Sequence, residues 1–175
     1  RTVQIFRGYR PRSIAMTGAV AIAAGGYLSA TVEQPVIGWL MIALASFALV
    51  FAEMCYDYSL TLSTVQQKLA RQVLSQFIPP IALGAGLSLL SLQNGLDPNC
   101  LPGVWATLYG LSLFSARPYL PHGVGWVGAF FCGSGLLLWS PAGAALNFKA
   151  MPLVFGFGQI FLALMLHWNR SRSND

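Results

Sequence analysis

The stretch PHGVGWVGAFFCGSG, residues 121–135, decides how this chain folds, because it is apolar, rich in glycine and free of acidic and basic residues other than one histidine. It spells G-x-G-x-x-G at Gly123, Gly125 and Gly128, a pattern that forms a dinucleotide-binding turn in soluble enzymes. That turn needs a strand before the glycines and an acidic residue further on. No strand pattern precedes these glycines, and no acidic residue follows in the same apolar run. The stretch therefore predicts a membrane helix with a small-residue face.

Small residues recur at helical spacing along this stretch, which is the fifth predicted span, and also in the first, third and sixth predicted spans. In a membrane, small residues let helices approach closely, which strengthens dispersion contacts where the hydrophobic effect gives no help. We therefore predict that these positions pack against a neighbouring helix, either of this chain or of another subunit. The predicted helix-packing positions are Gly84, Gly125, Gly128, Cys132, Gly135 and Gly156.

The composition places the whole chain in a membrane. Of its 175 residues, 55% are hydrophobic and only 9% are charged, whereas about a quarter of an average soluble domain is charged. A span needs about 20 mostly apolar residues. Six segments approach this length, which predicts an all-α polytopic helical bundle forming a single transmembrane domain over residues 1–175. The segments are 13–32, 36–58, 77–93, 101–116, 122–139 and 150–168.

The basic residues predict the orientation of the bundle. With six spans, nine of the ten lysines and arginines fall on one side, and only Lys149 falls on the other, together with Glu33 and Asp97. This asymmetry follows the positive-inside rule and predicts both termini in the cytoplasm, with basic segments at 1–12 and 169–175. The predicted location is therefore the bacterial inner membrane. The positive charge orients the chain among lipids, and nucleic acid is not a predicted partner.

The segment between the second and third spans has its own pattern. Apolar residues recur at spacings of three and four, and polar residues occupy the other faces; the apolar residues are Leu62, Val65, Leu69, Val73 and Phe77. This predicts an amphipathic interfacial helix over residues 59–76. Pro79 and Pro80 are then predicted to begin the third span, because proline suits the first turn of a helix.

The two halves of the chain resemble each other faintly. The Gly-x6-Gly spacing of the first span recurs in the fourth, and P-x-x-x-G-x-G occurs at Pro80 and again at Pro152. Each half has three predicted spans, so a repeat would be inverted across the membrane, as in many transporters. A transporter of this kind predicts a midplane cavity lined by polar groups. The candidates are Ser88, Thr107, Tyr109 and Gln159.

A few ionisable residues are candidates for chemistry. Glu53 lies one turn before Asp57 on the second span, and the two carboxylates form either a proton or cation site or interfacial partners of nearby basic residues. His122 and His167 lie at span ends on one membrane side, where they could ligate haem or chlorophyll or serve as ordinary interfacial residues. The three cysteines lack metal-ligand spacing. No catalytic motif is present, so the chain is not predicted to be an enzyme.

Several motifs are similar to those of a family of small polytopic bacterial inner-membrane proteins with no assigned activity. They are PPIALGAGLSL (79–89), LPGVWATLYG (101–110), FSAR (114–117) and FGFG (155–158). The resemblance implies the same multi-pass architecture and a bacterial origin. It also implies a histidine in the sixth span at the place where this chain has Phe161.

These observations predict a non-catalytic membrane subunit that packs within a larger assembly, for which a respiratory or photosynthetic complex is one plausible host. The predicted partners are membrane lipids and other integral membrane subunits. The alternatives are a small inverted-repeat transporter or channel, and a haem- or chlorophyll-binding membrane protein.

Overall fold

The computed structural model describes residues 10–32, 35–60, 63–121, 123–140, 143 and 145–171, with no account of the side chains at 57–60 and 170–171. Within these ranges the chain forms six α-helices and no strand, so the all-α prediction is confirmed. Short 3-10 turns precede α4, follow α4 and precede α6. The helices are α1 (Pro11–Thr31), α2 (Val36–Leu60), α3 (Thr64–Leu92), α4 (Leu101–Ala116), α5 (Val124–Trp139) and α6 (Met151–Ser171).

Four of the helices are long and apolar enough to cross a membrane. These are the helices that contain Pro11–Thr31, Val36–Tyr56, Thr64–Leu92 and Asn147–Asn169. α4 and α5 have 16 residues each, which at 1.5 Å per residue is about 24 Å, shorter than a typical hydrocarbon core of about 30 Å. The chain is therefore compatible with a membrane, and its two shortest helices lie at the centre of the packing.

Successive helices run in alternate directions between the same two ends of the bundle. One apolar cluster brings together Val36, Leu101 and Met151, which begin α2, α4 and α6. At the opposite end, a Cβ atom on Gly123, just before α5, would lie 2.8 Å from the sulfur of Met165 near the end of α6. We call the end that holds the apolar cluster the Lys149 end and the opposite end the basic end, after the charges predicted for each side.

α3 differs from the sequence prediction. Within the predicted interfacial helix 59–76, the residues from Thr64 onward do not form a separate helix, because one helix runs from Thr64 to Leu92 with Pro79 and Pro80 inside it. Each proline removes a backbone hydrogen bond from the helix. Contacts with α4 on both sides of the prolines keep the helix continuous. Before the prolines, Leu69 and Val73 pack against α4 at Ala116, and after them α3 again lies along α4. The predicted amphipathic face thus packs mainly within the bundle.

α4 and α5 form an antiparallel pair whose backbones touch. A Cβ atom placed on Gly110 would lie 2.8 Å from the Gly128 carbonyl oxygen, and one on Gly128 would lie 3.2 Å from the Gly110 carbonyl oxygen. Gly103 and Gly135 repeat this reciprocal contact at 3.0 and 2.8 Å. Contacts this close allow Cα–H···O=C interactions as well as dispersion. The helix that lies against the predicted packing face of α5 therefore belongs to the same chain.

α1 and α6 form a second antiparallel pair of the same kind. A Cβ atom on Gly18 would lie 2.9 Å from the Gly156 carbonyl oxygen, and one on Gly156 would lie 3.3 Å from the Gly18 carbonyl oxygen. The other helices are added to these two pairs: α3 packs on α4, α2 packs on α1, and α5 meets α6. A Cβ atom on Gly84 of α3 would lie 3.7 Å from the Trp105 side chain and 3.5 Å from the Leu108 side chain of α4.

We expect the α4–α5 contact to tolerate no side chain. Gly135→Leu should lower the free energy of unfolding by about 3 kcal/mol, because the obstructing atoms include the Gly103 carbonyl and the Thr107 amide, which cannot move aside. Gly133→Leu is the matched control, since a Cβ atom on Gly133 meets nothing within 4 Å, and its effect should stay within about 0.5 kcal/mol. Reversible unfolding in mixed micelles measures both, and equal losses would contradict the contact.

Candidate functional site

The candidate catalytic and ligand-binding residues are not gathered into one centre. No group of three or more His, Cys, Asp and Glu residues in the described part of the chain could hold a metal ion. His167 is exposed on the last turns of α6, and His122 lies outside the described residues. Cys55 and Cys100 are exposed, and Cys132 is half-buried, with its sulfur 3.8 Å from the Thr107 carbonyl oxygen. Haem or chlorophyll ligation thus stays a prediction.

Glu53 occupies the less exposed face of α2. It shares this face with Trp39, Ile42 and Ser46, at spacings of three, four and seven residues, while most other positions of α2 are exposed. Among the described residues Glu53 makes no ion pair, so the predicted pairing with basic residues near the interface is not formed by it. The Asp57 side chain is outside the described part of the chain, and the predicted carboxylate pair stays a prediction.

A polar contact at the centre of the bundle connects the two helix pairs. The Gln159 Nε2 atom of α6 donates to the Tyr109 hydroxyl of α4 at 3.0 Å. Gln159 also lies beside α1, where its Cβ would be 3.1 Å from a Cβ atom on Gly18. This one hydrogen bond therefore joins the α1–α6 pair to the α4–α5 pair.

Aromatic rings enclose this contact. The Tyr109 ring lies 4.7 Å from the Phe131 ring and 6.1 Å from the rings of Phe77 and Phe155, measured between centroids. Phe131 is completely buried. Phe161 stacks edge-on with Phe130 at 6.5 Å, so the position at which the resemblance implies a histidine belongs to the same packed cluster. The space between α4, α5 and α6 is filled by side chains at this level.

The other predicted cavity residues also lie in packed surroundings. The Ser88 hydroxyl donates to the Gly84 carbonyl at 2.7 Å and accepts from the Trp105 Nε1 atom at 3.0 Å. The Thr107 hydroxyl lies against Gly135 and is buried without a hydrogen-bond partner. The structure therefore brings Tyr109 and Gln159 together and places Ser88 and Thr107 on separate helix contacts.

The small-residue face predicted for the first span includes a ridge whose residues the sequence analysis did not identify. Ala19, Ala23, Gly26 and Ala30 recur at spacings of four, three and four residues, so they lie on one face of the helix. The three alanines are exposed, and a Cβ atom on Gly26 would meet nothing within 4 Å. We call this the open ridge of α1. The spacing of these four residues is visible in the sequence. Gly18 and Gly25 form a similar pattern on another face of the same helix, so spacing alone does not show which face is open.

No protein-family model, no curated protein and no solved structure matches the chain. The resemblance carried by the sequence motifs stays a prediction, and function is argued from the geometry of the chain itself.

The Tyr109–Gln159 contact should couple the two helix pairs energetically. In a double-mutant cycle with Tyr109→Phe and Gln159→Leu, the coupling energy should be about 0.6 kcal/mol and at most about 1.7, which is the range measured for hydrogen bonds between membrane helices. Tyr109→Phe keeps the ring packing, so its own effect isolates the hydroxyl. Unfolding in mixed micelles gives the four free energies, and a coupling energy of zero would show that the contact joins nothing.

Proposed function

We propose that this chain is a non-catalytic subunit of a larger assembly in the bacterial inner membrane, and that its open ridge on α1 receives a transmembrane helix of a partner. The observation that supports this most is the contrast between ridges. The glycine ridges of α4, α5 and α6 are closed by another helix of the chain, whereas the ridge at Ala19, Ala23, Gly26 and Ala30 is not.

An open small-residue ridge has a physical consequence in lipid. Helices in a membrane associate through van der Waals packing and backbone proximity, and small residues permit that proximity. Inside this chain, contacts of the Gly18–Gly156 type bring two backbones together. The open ridge has one glycine and three alanines at spacings of four, three and four residues, so a partner helix there would meet only small side chains and would come closest at Gly26.

α2 adds a second apolar surface, on a different side of α1 from the open ridge. Only 11% of its span is buried within the chain, against 50% of the span that contains α6. Its outward side is strongly apolar and includes Phe47 and Phe51, whose rings stack with centroids 5.7 Å apart. α2 packs mainly on α1, so most of its apolar surface is left for lipid or for a partner.

The proposed topology has six spans with both termini in the cytoplasm. It is supported by the nine-to-one distribution of basic residues and by largely exposed aromatic residues near both ends of the bundle, where such rings anchor helices at the lipid–water boundary. Tyr27 and Trp139 lie toward the Lys149 end, and Tyr56, Trp126 and Trp168 lie toward the basic end.

A small inverted-repeat transporter is a second candidate, and the order of helix packing favours it. α1 lies between α2 and α6, and α4 lies between α5 and α3. In the predicted repeat, α1 corresponds to α4, α2 to α5 and α3 to α6. Exchanging the two halves therefore converts the neighbours of α1 into those of α4, as an inverted repeat requires. The aromatic cluster around Tyr109 fills the level at which a transported solute would bind, so the subunit proposal is preferred.

Thiol labelling tests both the topology and this second candidate. In intact cells, an impermeant maleimide should label Cys100, which is exposed at the Lys149 end, in a variant without the other two cysteines. A cysteine-free variant carrying Lys68→Cys, exposed at the basic end, should react only after the cells are opened. The reverse pattern would invert the topology. Labelling of Thr107→Cys from either side would indicate a water path and favour the transporter.

Partner binding should depend on the open ridge. After mild-detergent extraction of native membranes, the wild-type chain should migrate with at least one other membrane protein, and Ala23→Leu and Gly26→Leu should each remove most of that association. Their added side chains enter open space, so the isolated chain should keep its helix content and thermal stability.

Gly133→Leu is the matched control, because it adds the same side chain to an open position on α5 and should leave the association intact. A chain that migrates alone, as a monomer or homodimer, contradicts the subunit proposal. Equal loss of the partner in all three variants would mean that the open ridge is not the contact surface.

A further inference from the structure

A cleft of about 380 Å³ lies beyond the end of α1 at the Lys149 end of the bundle. Its walls are the last turn of α1 and the residue after it (29–32), Pro35, Asn99 and the segment 145–149 that leads into α6. The volume falls within the range of small-molecule sites, about 300–1,000 Å³. The walls are polar and apolar in similar measure, which suits a ligand with both characters.

Hydrogen-bond donors line one part of this cleft. Lys149 is exposed there and is the one basic residue that the sequence places at this end. Asn99 contributes a side-chain amide, while its backbone N–H donates to the Asp97 carboxylate at 3.0 Å. An ammonium group and an amide N–H together suit the oxygens of a phosphate ester.

Another part of the cleft offers an acceptor. Asn147 lines it with a left-handed backbone, φ 42°, and its side-chain oxygen is buried without a hydrogen-bond partner. A buried acceptor without a donor is unfavourable, so the half-buried Asn147 side chain would gain by turning its oxygen into the cleft toward a ligand that supplies a donor.

We propose that this cleft binds the headgroup of a glycerophospholipid that ends in a hydrogen-bond donor. Lys149 and Asn99 hold the phosphodiester, and the terminal hydroxyl or ammonium group donates to the side-chain oxygen of Asn147. A headgroup ending in glycerol or ethanolamine meets both requirements. A choline headgroup has the phosphodiester but no N–H or O–H donor, so it meets only the first.

The position of the cleft favours a lipid over a dissolved phosphate ester. It lies where α1 ends and beside the start of the span at Asn147–Asn169, which is the level of lipid headgroups if these spans cross a bilayer. Leu146, 51% exposed, lies at the cleft as an apolar neighbour for the first carbons of an acyl chain. This inference concerns a lipid site and does not depend on the partner proposed for the open ridge.

The test is titration of the purified full-length chain with short-chain phosphatidylglycerol, phosphatidylethanolamine and phosphatidylcholine, followed by native mass spectrometry. The first two should bind about tenfold more tightly than phosphatidylcholine, which is the effect of one hydrogen bond of ordinary strength. Lys149→Met should weaken all three by about tenfold, because the phosphodiester is common to them.

Asn147→Gly separates recognition of the donor from general binding. Glycine accepts the left-handed backbone at this position, so the variant removes the amide without strain. It should weaken phosphatidylglycerol and phosphatidylethanolamine to the level of phosphatidylcholine and leave phosphatidylcholine unchanged.

Lys68→Met is the matched control, because Lys68 is the only other lysine of the chain and lies at the basic end. It should change none of the affinities. Equal binding of the three lipids to the wild-type chain, or equal losses in the two lysine variants, would overturn the site. Binding of glycerol 3-phosphate as tightly as the lipids would assign the same chemistry to a dissolved ligand and overturn the lipid assignment.

Discussion

Backbone contact between glycine-bearing helices is the constraint on which the rest of this structure depends. In lipid, two helices gain little from burying apolar side chains against each other, so close approach must supply the attraction. The glycines of α4 and α5 meet in register, Gly103 with Gly135 and Gly110 with Gly128. Gly18 and Gly156 do the same for α1 and α6. The aromatic cluster then joins the two pairs, and α2 and α3 pack on the outside.

Much of this architecture could be predicted from the sequence, because apolar length and residue spacing are local properties. The limits of α1, α4 and α5 differ little from those predicted, and glycine spacing identified the contact face of α5. The prediction that the third span begins at Pro79 and Pro80 was wrong, since the continuity of α3 depends on its contacts with α4 on both sides of the prolines. The local preference of the two prolines favours a helix end at this point, and only packing against α4 keeps the helix continuous.

The candidate sites show the same limit. Tyr109 and Gln159 are fifty residues apart, and nothing in their own segments pairs them. Gly18 and Gly26 are both glycines on α1, yet one is closed by α6 and the other is open. Residue spacing alone shows that a helix has faces lined by small residues. The positions of the other helices decide which of these faces is left for a partner. The functional proposal therefore depends on the fold more than on any motif.

The register of the glycine contacts also imposes an order on the assembly of the chain. α4 and α5 are separated by only a short connection, so their contact can form as soon as both helices have entered the membrane. α1 is the first of the described helices, and its closest partner is α6, which is synthesised after all the others. Until then, Gly18 faces lipid or whatever protein attends insertion. The last helix thus completes a contact that the first helix has held open throughout synthesis.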